Sequence, residues 1–243
     1  MRVVAIIQAR MGSTRLSGKV LRDIYGETML SRVVHRAKRA TLLNDIMVAT
    51  TVKLIDEAVV AEATRLGVPF FRGSEDDVLD RYYQAAIACR ADVVVRITSD
   101  CPLIEPTIID MVVRAFLNAN PDYASNTLIR TYPRGLDIEA MSLSALTVAW
   151  REASKPYQRT HVTPYIYENP HLFRLLSVTG SSDYSRYRWT VDTPEDLEFV
   201  REIYYRLSHN SSFDWHDVLE LCEREPALTE LNSHIKQKPL EKG

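Results

Sequence analysis

Apolar runs of strand length alternate with stretches of helical periodicity through the first half of the chain, and this alternation restricts the fold most. "VVAIIQ" (3–8) is a continuous apolar run ending in a polar residue, the pattern of a strand buried on both faces. Leu30, Val33, Val34 and Ala37 then recur at helical spacing within 28–40. "DIMVATT" (45–51) reads as a second strand, 54–67 as a helix closed by Gly67, and "VPFF" (68–71) as a short third strand. Ser74 and Asp77 form a capping-box-like start for a helix through Arg90, and "DVVVRI" (92–97) is the next buried strand. Pro106 suits the first position of a helix through Ala119. The order predicts an α/β fold, a doubly wound and mostly parallel sheet of Rossmann-like type.

The second half changes character. Strands are expected at 123–126, 136–142 and 173–178, with a helix from Ser142 to Ala153. "HVTPYIYENP" (161–170) is aromatic and broken by proline. Asp192 is expected to end a short strand, and Thr193-Pro194-Glu195-Asp196 is a helix start in which Thr caps and Pro takes the first position. That helix runs to about Leu207, and 214–224 adds another. The pattern fades after Pro226. The expected organisation is one domain over 1–225, with an acceptor or dimerisation insertion at about 127–180, and a weakly structured tail at 226–243.

A net charge of −2 offers no general attraction to a polyanion, so nucleic acid is not an expected partner, and cation clusters must serve local anions. Three cysteines far apart match no zinc spacing, which together with the lack of a secretion signal suggests a reduced, cytoplasmic chain. No apolar run approaches membrane-spanning length.

Such a cluster follows the first strand. "ARMGSTRLSGKVL" (9–21) carries Arg10, Arg15 and Lys19, with Arg22 next, before the first acid, Asp23. Five residues separate Gly12 from Gly18 and Val20 follows Lys19, so this is neither a Walker A loop nor a dinucleotide fingerprint. Cations on a glycine-containing turn behind a buried strand suit several phosphates at once. Ligands of open parallel sheets bind at the carboxyl ends of strands. Asp100, in "RITSDCPLIEP" (96–106), stands just past such an end, and Asp192 is the second acid near one. Each could merely fix a loop; together, opposite a cationic turn, they form a hard oxygen site for Mg²⁺.

Six motifs in order, "IIQARMGSTRLSGKVL", "RGSEDDVLDRY", "VRITSDCPLIEP", "YPRGLDIEAMS", "HVTPYIYENP" and "RWTVDTPEDLEFV", resemble the cytidylyltransferase family of spore-coat polysaccharide proteins, relatives of the CMP-sialic acid and CMP-Kdo synthetases. The resemblance implies transfer of CMP from CTP to a sugar, keto-acid sugar or phosphorylated acceptor, with Mg²⁺, and a homodimer. By match, Arg10, Ser13, Arg15 and Lys19 contact phosphates, helped by the backbone N–H groups of Met11 and Gly12. Gln8, Ala9, Ser74 and Thr98 complete the implied nucleotide site, and Thr50, in "ATT" (49–51), lies at a strand end where backbone groups could read a base. Arg10, Lys19 and Asp100 carry the chemistry, and Asp100 and Asp192 hold the metal. Arg134, Asp137, Glu139, Arg159 and His161 are expected on the acceptor side. Ser17 stands where many relatives have proline and Thr160 where they often have glutamate, so the acceptor is open. A nucleotide-sugar-dependent glycosyltransferase shares the sheet and an acidic metal site, but the "TSDCPL" loop lacks the second acid of Asp-x-Asp. Use of another nucleoside triphosphate stays possible.

Overall fold

A computed structural model describes residues 1–13, 15–210 and 212–239. Its centre is a seven-stranded sheet made of β1 (Val3–Gln8), β4 (Asp45–Thr51), β5 (Phe70–Gly73), β6 (Val93–Thr98), β7 (Tyr123–Ser125), β8 (Glu139–Ser142) and β9 (Leu175–Ser177). Their order across the sheet is β5-β4-β1-β6-β8-β7-β9. The first four are parallel; β8 runs against both β6 and β7, and β7 is parallel to β9. A hairpin of β2 (Asp23–Ile24) and β3 (Glu27–Thr28), not foreseen from the sequence, forms a separate two-stranded sheet.

Helices cover both faces: α1 (Met29–Ala37), α2 (Glu57–Arg65), α3 (Val78–Ala88), α4 (Pro106–Ala119), α5 (Leu143–Glu152), α6 (Pro156–His161), α7 (Pro164–Tyr167), α8 (Pro194–Arg206), α9 (Trp215–Arg224) and α10 (Ala227–Glu230). The two-residue period of β1 divides the core. Val3, Ala5 and Ile7 join the cluster that contains residues of α1, α2, α4, α8 and α9. Val4 and Ile6 face the cluster built on α3 and α5. A one-residue slip of β1 would therefore exchange every partner it has. Burying Ile6 fully contributes about 2 kcal/mol relative to leaving it exposed, so the register is firmly set.

Several boundaries differ from the sequence reading. Asp77, not Ser74, caps α3 through the N–H of Asp80, and Ser74 Oγ instead accepts from the N–H of Asp77. β8 begins at Glu139 because residues 136–138 turn into the interior, where Leu136 and Ile138 are buried. Residues 188–192 form no strand of the sheet, only a bridge between Arg134 and Arg188. The part of the tail before residue 240 is not loose: α10 forms, and Leu228 and Asn232 are buried. Residues 240–243 lie outside the described residues.

Gly135 fastens the later segment to this frame. Its φ is +112°, and a Cβ there would come within 2.6 Å of the Trp189 carbonyl carbon and 2.7 Å of the Thr190 nitrogen. The N–H of Arg134 donates to the Tyr187 carbonyl (3.0 Å) and that of Trp189 to the Arg134 carbonyl (2.6 Å). Only glycine combines that backbone angle with such close approach. Gly135→Ala should therefore lower stability by roughly 2–4 kcal/mol. The urea midpoint should fall with an unchanged slope; an unshifted midpoint would show that the two segments can part freely.

Candidate active site

The loop after β1 is shaped by its own backbone. The Met11 carbonyl accepts from the N–H groups of both Ser13 and Gly18, at 2.8 and 3.1 Å. Gly18, with φ +62°, reverses the chain before the short turn that begins at Lys19. Leu16 and Val20 are buried beneath and act as anchors. The loop's cationic side chains are thus presented over the ends of β1 and β6.

Lys19 reaches furthest in. Its Nζ donates to Asp100 Oδ2 at 2.9 Å, to Asp192 Oδ1 at 2.9 Å and to the Val191 carbonyl at 2.8 Å. Asp100 follows the end of β6, and its own carbonyl accepts from the N–H of Val191 at 2.8 Å, which places Asp192. Arg15 meets Asp192 Oδ1 at 3.0 Å. Arg188 holds the other oxygen of Asp192 at 3.0 Å and Asp196 Oδ1 at 2.8 Å. Asp196 in turn belongs to the capping box that starts α8.

The charges set the protonation states. Burial alone would raise the Asp100 pKa, but the nearby Lys19 ammonium and hydrogen bonds from Thr98 and Lys19 bring it down to about 2. Burial likewise favours neutral Lys19, and the two carboxylates overcome it, holding its pKa above the ordinary value. Both groups are therefore charged at neutral pH.

These residues sit in the wall of a cavity of about 990 Å³. Cationic side chains around it outnumber carboxylates by eight to four, so an anionic ligand is electrostatically favoured. Gln8, Ala9, Arg10, Gly12, Ser13, Arg15, Lys19 and Thr98 line it, as do Arg134, Asp137, Glu139, His161 and both aspartates. The Oε1 atom of Gln8 is buried with no hydrogen-bond partner, which leaves it available to a ligand. Arg10 rests against Glu75, 3.6 Å from its carboxylate.

Other expected site residues have structural duties. Thr50 is wholly buried in β4, and neither it nor Ser74 lines the cavity. The N–H of Met11 is directed at Asp56 Oδ1, 2.7 Å away, and not at a ligand. Arg159 also leaves the cavity wall: it grips Asp77 at 2.5 Å and the Trp150 carbonyl at 2.6 Å, tying α6 to the start of α3. Glu139 lies in the wall but is fully engaged by Arg96, by Tyr123 (2.5 Å) and by Thr163 (2.6 Å). Asp137 is bound by both terminal nitrogens of Arg130, at 2.6 and 2.8 Å.

Sequence reasoning missed Arg81, Arg96 and Arg130 in the wall. The first two left a signal: a charge inside an otherwise apolar strand or on the apolar face of a helix needs a buried partner or a ligand.

Comparison with known proteins decides the family. The cytidylyltransferase family model matches residues 4–223. The chain belongs to the cytidylyltransferase family. This cytidylyltransferase is 33% identical over 236 residues to the spore coat polysaccharide biosynthesis protein SpsF of Bacillus subtilis, covering 94% of the chain and 97% of that protein. It is 30% identical to the 3-deoxy-manno-octulosonate cytidylyltransferase of Solibacter usitatus, over 84% of the chain and 94% of the relative. A solved cytidylyltransferase from Leptospira borgpetersenii superposes with a TM-score of 0.90 at 36% identity, covering 98% of this chain and all of the other. No helix among the described residues is long and apolar enough to cross a membrane.

The Lys19–Asp100 pair makes the cytidylyltransferase site sensitive to acid. Because the folded-state pKa of Asp100 is depressed, the pair's stabilisation is present above about pH 4 and is lost as the pH falls towards 2. In Lys19→Met the burial effect is unopposed by that ammonium, so Asp100 should titrate above its ordinary 3.8 in a carboxylate NMR titration. A value still near 2 would mean that Lys19 is not the controlling charge.

Proposed function

We propose that this cytidylyltransferase uses Mg²⁺ to transfer CMP from CTP to a sugar, keto-acid sugar or phosphorylated acceptor, releasing pyrophosphate, in the synthesis of a surface polysaccharide or glycoconjugate. It would do so as a cytoplasmic homodimer. The observation that carries the reading is the Lys19 ammonium shared by two carboxylates in the wall of a strongly cationic cavity. The polysaccharide role draws on the similarity to SpsF, and the sugar-acid acceptor on the similarity to the octulosonate cytidylyltransferases.

The donor set suits a hard divalent cation. Asp100 Oδ2 and Asp192 Oδ1 each lie 2.9 Å from one Nζ, so they are at most twice that distance apart. Among the described residues no group of three or more His, Cys, Asp or Glu side chains is placed to hold a metal, so phosphate oxygens and water would complete the coordination. Bound there, the ion would neutralise phosphate charge and act as a Lewis acid. Arg10, Arg15 and Lys19 would neutralise the remaining phosphate oxygens. The acceptor hydroxyl oxygen would attack the α-phosphorus from the side walled by Arg134 and His161. The bond from the α-phosphorus to the oxygen that bridges it to the β-phosphate then breaks, pyrophosphate leaves with its electron pair, and the hydroxyl proton passes to solvent. Such chemistry depends on positioning and charge, with no covalent enzyme intermediate.

Asp100→Asn and Asp192→Asn should each slow pyrophosphate release by on the order of 10²–10³-fold while the circular dichroism spectrum stays native. Near-normal Mg²⁺-dependent turnover in either variant would remove that carboxylate from the metal site. Calorimetric titration of CTP, UTP, GTP and ATP should show a preference for CTP. Preference for another base would keep the chemistry and change the product, whereas tight binding of a nucleotide sugar in place of any triphosphate would sink the reading.

A further inference from the structure

The family match ends at residue 223, yet the chain beyond it returns to the cavity. Leu228 is buried on the way, and Asn232, only 2% exposed, donates its amide hydrogens to the Arg188 carbonyl (2.9 Å) and to Asp196 Oδ1 (3.0 Å). Five residues on, Gln237 Oε1 accepts from Arg188 at 3.0 Å. Arg188 is the residue that grips Asp192 and Asp196, so the segment is fastened to the positioning apparatus of the site at two points. Gln237, Lys238 and Pro239 then form part of the cavity wall.

We infer that the C-terminal segment is a working part of the nucleotide site: Asn232 and Gln237 lock it onto Arg188, and Lys238 supplies a further cation to the phosphates of the bound nucleotide. Three observations carry this. A segment that merely covered Arg188 could end at Gln237, but two more residues continue along the cavity. Pro239 confines the residue before it to extended conformations, which narrows where the Lys238 side chain can reach. The segment also arrives on the Asp192 flank, where Arg15 already stands against the other oxygen of the same carboxylate. Gln237 is a positioning residue; Lys238 is the one that meets the ligand.

The inference rests on the reading of the cavity as a triphosphate site, and its test separates the two. CTP and inorganic pyrophosphate would be titrated, with Mg²⁺, into the full chain and into Lys238→Gln, Lys238→Arg and Gln237→Ala. An exposed charge-assisted contact is expected to change affinity by about three- to ten-fold. Lys238→Gln should lose that much for both probes, Lys238→Arg should retain affinity, and Gln237→Ala should lose an intermediate amount. Trypsin gives a second readout, since it can cut after exposed Lys236 but not between Lys238 and Pro239. CTP should slow the cut after Lys236 in the wild type and slow it less in Lys238→Gln. Wild-type affinity in Lys238→Gln, equal losses in Lys238→Arg, or cleavage indifferent to CTP would each overturn the inference while leaving the triphosphate site intact. Failure of the wild type to bind either probe would overturn both.

Discussion

One ammonium group organises the molecule's polar centre. Lys19 joins the loop after β1 to the end of β6 through Asp100 and to the segment before α8 through Asp192 and the Val191 carbonyl. Each carboxylate tolerates a partly buried position because this cation is shared, and the cation tolerates it because two acids are present. Removing Lys19 leaves Asp100 without an ion-pair partner among the described residues, whereas Asp192 keeps Arg15 and Arg188. The supporting contacts serve the same end. Arg188 fixes the far oxygen of Asp192, Asp196 fixes Arg188, and Asp196 is itself held by the start of a helix.

Another part of the cavity wall is built on separate ion pairs. In it Arg96 pairs with Glu139 and Arg130 with Asp137, one carboxylate to each cation, whereas around Lys19 single carboxylates are shared between cations. Arg134 also lines the cavity. Burial and the proximity of Arg130 lower its pKa, so an anionic group near it would relieve an unfavourable environment. The cavity therefore joins preformed ion pairs to an overall excess of cations.

Much of this was legible in the sequence, and the reasons differ by residue. The continuous apolar run of β1 announced a strand buried on both faces, and Pro106 and Thr193 marked helix starts that the structure reproduces, since these signals are local. Arg10, Arg15, Lys19 and Asp100 could be grouped because strand ends in a parallel sheet converge on one edge, whereas Asp192 arrives from a segment that is no strand, through the N–H of Val191 on the Asp100 carbonyl. Arg159 could not be read correctly: whether its guanidinium faces a ligand or Asp77 depends on how α6 packs on α3, which no local pattern encodes. Thr50 has a buried side chain, so only backbone groups at the end of its strand could meet a base. The tail does carry a short stripe, Leu228, Leu231 and Ile235 at helical spacing, and Leu228 and Leu231 pack on the core; what no pattern announces is the fastening of the segment by the amides of Asn232 and Gln237.

The separations along the chain have a thermodynamic consequence. Lys19 lies 81 residues from Asp100 and 173 from Asp192. No autonomous fragment or early folding intermediate that lacks one of these segments can assemble the cluster. Loop closure of that length is slow to be rewarded during folding, which puts the site among the last features to form. Any anion that binds there acts on the folded chain alone. Its binding free energy is then added almost whole to the stability of the entire fold, rather than to one loop.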